Sequence, residues 1–148
     1  MQERISVFQY NDIVMVGLGN PIRRDDGAGL RLMKEIEQRR IVHGAHFIFA
    51  GTTPENHLAA IIRHKPKLVV FFDTARRNEK PGNIGEIGQD VVATRGFSTH
   101  SYSIKLIEEY LRHEGVEQFL YIGIEPENME MGRSLSPVVQ KEINAFFQ

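Results

Sequence analysis

The sequence predicts an α/β fold, a mostly parallel sheet covered by helices on both faces. Two observations carry that prediction. Four apolar runs end abruptly at a glycine or a polar residue: DIVMVGL (12–18), AHFIFA (45–50), KLVVFF (67–72) and QFLYIGI (118–124). Between them lie segments whose apolar residues recur at helical spacing. Runs that are apolar throughout, rather than alternating, are the mark of strands buried on both faces.

The elements follow in order. The first strand, 12–18, ends at a glycine. From about Asp25 to Arg39 the pattern turns helical, with Leu32, Met33 and Ile36 on one face and Lys34, Glu35 and Gln38 between them. The second strand, 45–50, is closed by Gly51. PENHLAAIIRHK (54–65) reads as a helix with Pro54 in its first turn, where a missing N–H is harmless. KLVVFF runs straight into Asp73. A turn-rich stretch with Pro81, Gly82 and Gly85 flanks a short strand near Ile84–Ile87. FSTHSYSIKLIEEYLRHEG predicts a helix that starts near Ser98–His100 and ends at Gly115, with Ile104, Ile107 and Leu111 on one face. After QFLYIGI and the loop EPENMEMGRS, the segment SPVVQKEINAFF predicts a last helix, with Ser136 as N-cap and Pro137 at the first helical position.

The 148 residues fit one domain, 1–148, long enough to bury a core without staples. A formal net charge of -1 provides no global field for nucleic acid or an anionic membrane. The absence of cysteine excludes disulfides and thiolate metal sites, and is compatible with a reducing cytoplasm. The N-terminal MQERISVFQY lacks the apolar region of a signal peptide, and no apolar run approaches the roughly 20 residues that span a bilayer. A soluble, cytoplasmic protein is expected.

In parallel sheets the ligand site lies beyond the carboxyl ends of the strands. Asn20, Asp25, Asp26, Asp73 and Glu125 all follow such an end, whereas Asp12 precedes its strand and falls on the opposite edge. The richest of these stretches is GLGNPIRRDDGAG (17–29). As a dinucleotide loop it is a weak match, which leaves a nucleotide-binding α/β protein as a third reading: the third glycine position is Ile22, and the second strand ends in Ala50 and Gly51 rather than an acid. No P-loop is present, and paired carboxylates repel a pyrophosphate. One aspartate suits a helix start, and Asp25 is assigned to it. A helix needs one such cap, so Asp26 is left to face water, an arginine or a cation.

Asp73 closes the most apolar strand on the same edge, as a site residue or a turn residue. His100 falls in the first turn of a helix that Ser98 or Thr99 could cap, where the dipole keeps an imidazole neutral and able to ligate metal. A surface histidine is the alternative, and His43, His46, His57, His64 and His113 are weaker candidates. Two carboxylates and one imidazole suit nickel, zinc or manganese, with positions left open for substrate or water. A G-x-S-x-G elbow is missing, and a cysteine nucleophile is impossible.

The string VGLGNPIRRDDGAG, followed in order by GTTPEN, LVVFFDTA with PG after it, STH and YIGIEP, resembles the hydrogenase maturation endopeptidases. It is most similar to the branch that processes the formate-hydrogenlyase type of nickel–iron hydrogenase. The resemblance implies a three-layer α/β/α sandwich around a twisted five-stranded sheet, of the phosphorylase/hydrolase-like kind. It implies an aspartyl-protease-like hydrolase that removes the C-terminal extension of the large-subunit precursor after nickel insertion. The family's metal ligands fall on Asp26, Asp73 and His100, with either aspartate available as general base. Nickel would arrive with the precursor, and other divalent ions could occupy the same site. A non-catalytic escort that checks nickel loading is the alternative.

On this reading Gly19 and Asn20 lie where a peptide would pass. The chain departs from the family after Asp73, where Arg76, Arg77 and Asn78 replace a more acidic run; Asn78 is placed to substitute for a glycine at positive φ. With Arg23 and Arg24, these arginines would form a basic rim for acidic groups of the precursor, or else a solvated edge.

Overall fold

The computed structural model describes residues 1–88 and 104–148. Its strands are β1 (Ile13–Leu18), β2 (His46–Gly51), β3 (Leu68–Thr74), β4 (Ile84–Glu86) and β5 (Gln118–Ile124). They form one sheet in the order β2-β1-β3-β5-β4. β1 pairs in parallel with β2 and β3, β3 pairs in parallel with β5, and the short β4 runs antiparallel along β5. The mostly parallel five-stranded sheet therefore matches the expectation.

The described helices are α1 (Gln2–Ile5), α2 (Ala28–Gln38), α3 (Leu58–Arg63), α4 (Ile104–His113) and α5 (Pro137–Ala145). Alternate residues along each strand serve two cores. Val14, Val16, Val69, Phe71, Phe119 and Tyr121 pack with α3 and α4 on one face. Ile13, Met15, Val70, Phe72, Leu120 and Ile122 pack with α2 and α5 on the other. All seven residues of β3 are buried, which is why its sequence is apolar without alternation. Three layers result. No described helix is long and apolar enough to cross a membrane.

Two predicted helices begin differently from expectation. Arg24–Gly27 and Pro54–His57 are 3₁₀ turns that lead into α2 and α3. Neither turn has a side-chain cap, and a 3₁₀ turn is the common way for a helix start to tighten. The sequence pattern also held no sign of α1, whose four residues are held by burial of Ile5. The start predicted for the next-to-last helix, Ser98–His100, lies outside the described residues.

The strand order places β1 in the sheet interior, with β2 on one side and β3 on the other. The chain thus reverses its direction of travel across the sheet between β1 and β3. In open α/β sheets ligands bind beyond the strand ends at such a point.

Candidate active site

β1 leaves the sheet at Gly19, whose φ is +130° and whose N–H donates to the Gly51 carbonyl at 2.9 Å. A Cβ at Gly19 would stand 2.0 Å from the Asp26 carbonyl oxygen and 3.4 Å from Asp73 Oδ1. The two aspartates, one from the loop after β1 and one from β3, therefore border the same residue. Both are fully buried. The Asn20 N–H donates to Asp26 Oδ2 at 3.2 Å, and the Thr74 N–H donates to Asp73 Oδ1 at 2.7 Å. Asp73 is the sixth residue of β3, so the strand backbone itself positions it.

The first turn of α2 lies directly against this strand. A Cβ on Gly29 would sit 2.7 Å from the Asp73 Cα, and one on Gly27 would sit 3.0 Å from the Pro21 Cα. Close approach of chain segments explains both glycines.

The assignment of Asp25 as a helix cap is corrected. Its carboxylate turns away from the helix and gathers the loop before α5. Oδ2 accepts the N–H groups of Glu127 at 2.9 Å and Asn128 at 2.8 Å, and the Ser136 hydroxyl at 2.7 Å. Oδ1 accepts the Ser136 N–H at 2.7 Å. Burial alone would raise the Asp25 carboxyl. The Ser136, Asn128 and Glu127 hydrogen bonds outweigh that effect and hold it below the usual aspartate value. Ser136 does occupy the N-cap position of α5, but its hydroxyl is given to Asp25 rather than to the helix.

The loops bearing Asp25 and Ser136 are also joined by backbone. The Arg24 N–H donates to the Gly132 carbonyl at 2.8 Å, the Gly132 N–H to the Ile22 carbonyl at 2.9 Å, and the Asp25 N–H to the Asn128 carbonyl at 3.0 Å.

Of the predicted rim, Arg23 and Arg76 are exposed and Arg24 is half-buried at φ +45°. Arg77 is not a rim residue. Its guanidinium donates to the Asn83 carbonyl at 3.0 Å, the Asn83 side chain at 2.9 Å and the Gly123 carbonyl at 3.2 Å, so it is spent on holding the loop after β3. Asn78 takes φ +59°, as its replacement of a glycine requires. Asn20 Oδ1 accepts the Ile22 N–H at 3.2 Å, which shapes the loop between Gly19 and Asp26.

Glu125 reaches the same edge but serves the backbone. Its carboxylate accepts the N–H of Arg77 at 2.7 Å and of Glu79 at 3.3 Å. Asp12 lies on the opposite edge, where its carbonyl accepts the Lys67 N–H at 2.8 Å. Thr74 was not singled out in the sequence: its hydroxyl donates to the Asp25 carbonyl at 2.7 Å and ties β3 to the Asp25–Asp26 loop. A threonine at the end of an apolar strand carries no signal beyond strand propensity.

Among the described residues no three His, Asp or Glu side chains form a group able to hold a metal ion. Asp26 and Asp73 bring two buried carboxylates to the Gly19–Asn20 stretch; His100 lies outside the described residues. Buried carboxylate oxygens are donors that hard and borderline divalent ions accept, so this pair fits the expected chemistry. It also suits proton transfer, since a buried carboxylate converts between charged and neutral forms near a reacting group.

The model of the hydrogenase maturation protease family matches residues 30–148. The hydrogenase 3 maturation protease of Escherichia coli is 24% identical over 136 residues, covering 91% of this chain and 86% of that protein. The coenzyme F420 hydrogenase subunit delta of Methanothermobacter thermautotrophicus is 29% identical over 143 residues, covering 89% and 87%. The crystal structure of the NiFe hydrogenase maturation protease HycI from Thermococcus kodakarensis has the same fold, with a TM-score of 0.78 at 22% identity over 90% of this chain and 86% of that one. The chain belongs to the hydrogenase maturation protease family and is a peptide hydrolase.

Proposed function

We propose that this protease removes the C-terminal extension of a nickel–iron hydrogenase large-subunit precursor after nickel insertion, in the cytoplasm. The observation that carries the proposal is the meeting of Asp26 and Asp73 at Gly19, on the sheet edge where α/β proteins bind their ligands. The hydrogenase in the relatives' names supports the choice of substrate.

On the family resemblance Asp26, Asp73 and His100 would hold the nickel that the precursor brings, so nickel belongs to the substrate; zinc or manganese would suit the same donors. A bound divalent ion supplies Lewis acidity at the scissile carbonyl. The chain's own part is positioning and proton transfer. Backbone N–H groups tie one oxygen of each aspartate, Asn20 to Asp26 and Thr74 to Asp73. One of the two carboxylates takes a proton from the attacking water and returns it to the leaving amine. The missing side chain at Gly19 lets the Asp26 carbonyl and the Asp73 carboxylate close on the same backbone position.

The test is cleavage of purified nickel-loaded precursor, read by mass, with wild type beside Asp26→Asn, Asp73→Asn and His100→Ala. Loss of cleavage with an unchanged melting profile supports the assignment. Full activity in all three variants overturns the site. A stable wild-type complex in which the precursor keeps its mass overturns the reaction.

A further inference from the structure

A groove of about 400 Å³ runs beside the Asp26 loop, between α2, the end of β2 and the segment before α5. It is lined by Arg24, Arg31, Lys34 and Arg133, with Leu30 and Phe49 among its apolar walls. Among the described residues none of its lining is acidic, and none of the four cations makes an ion pair. The chain as a whole carries a formal net charge of -1, so this is a local concentration of positive charge rather than a basic protein. The Arg24 side chain lies over Gly132, close enough that a Cβ there would stand 2.9 Å from its Nε.

Exposed apolar side chains accompany the cations. Phe49 lines the groove, and Ile22 and Met131 adjoin the Arg24–Gly132 contact. Large apolar groups left in water beside these cations fit a ligand that is acidic and apolar in alternation. Exposed patches of this kind mark interaction surfaces.

We infer that this groove binds a segment of the protein substrate in which carboxylate side chains alternate with apolar ones, and so guides the scissile bond to Asp26. The inference rests on the site acting on a protein substrate. Arg24 belongs to the rim read from the sequence; Arg31 and Lys34 extend it along α2, and Arg133 adds to it from the segment before α5.

The experiment is steady-state cleavage of purified precursor by wild type and by the double variant Arg31→Glu/Lys34→Glu. Both positions are on the exposed face of α2, so the fold is retained. KM rises about tenfold while kcat changes little, as expected when binding common to ground and transition states is lost. Arg31→Lys/Lys34→Arg keeps the wild-type KM, and so does Arg63→Glu on α3. Replacing the precursor's acidic residues near the cut by lysine restores the double variant's KM. An unchanged KM in the double variant overturns the groove while leaving the peptidase standing. If wild type binds but does not cut, the peptidase reading fails instead, and the groove is judged by whether the double variant weakens precursor binding. Sensitivity to blocking the precursor's terminal carboxylate alone, or dimerisation of this chain through the groove, also overturns the inference.

Discussion

The carboxylate of Asp25 accepts both the N–H and the hydroxyl of Ser136, each at 2.7 Å, across 111 positions of sequence. Its neighbour Asp26 points instead toward Gly19 and Asn20. The adjacent pair thus divides into a residue that closes the loop before α5 and a buried residue whose carboxylate meets the loop after β1.

Asp25→Ala should cost about 3 kcal/mol or more of stability, because it strands several buried donors at once. Asp25→Asn keeps the shape and part of the acceptor capacity and should cost less. Urea unfolding midpoints at neutral pH check both, and an alanine variant as stable as wild type would remove Asp25 from its structural role.

The same carboxylate predicts an acid limb. Its pKa in the folded chain lies below the unfolded value of about 3.9. The stability it contributes is therefore present above about pH 4 and disappears as pH falls through the folded value. Wild type should lose stability over that range more steeply than Asp25→Asn, which has no charge there to lose. Parallel slopes for the two proteins would contradict this.

Gly29→Ala should destabilise by about 2 kcal/mol, even though alanine favours helix by about 1 kcal/mol. The added carbon meets the backbone of Phe72 and Asp73, which has no rotamer with which to yield. Thermal unfolding decides it; a gain in melting temperature would show that α2 stands further from β3 than described.

Gly19→Ala should affect cleavage more than folding. An alanine at φ +130° is strained, and its Cβ would displace the Asp26 carbonyl. A misplacement on the order of 1 Å at a reacting group costs about 100-fold in rate. Precursor cleavage at the wild-type rate would separate Gly19 from the site.

The sheet was legible because β1, β3 and β5 are buried on both faces, and burial on both faces leaves a continuous apolar run in the chain. Asp26 and Asp73 were legible by position, since the strand-end rule needs only the order of elements. Asp25 was misread because its partners are N–H groups of Glu127, Asn128 and Ser136, which every residue but proline carries. Arg77 was misread for the related reason that a guanidinium bonded to backbone carbonyls looks, in sequence, like one facing water. The positive φ of Arg24 follows from its bond to Gly132, a contact between distant segments that local propensity does not encode.

The bonds that join residues 22–25 to residues 128–136 bear on how the enzyme comes into being. A chain emerging from the ribosome has made β1, α2, β2 and β3, and with them both aspartates, long before Gly132 and Ser136 exist. Until those residues arrive, the Asp25 carboxylate has no donors from them and the Arg24 N–H has no Gly132 carbonyl to meet. The loop that bears Asp26 is therefore framed late in synthesis, and a half-made copy carries both aspartates without the residues that hold that loop in place.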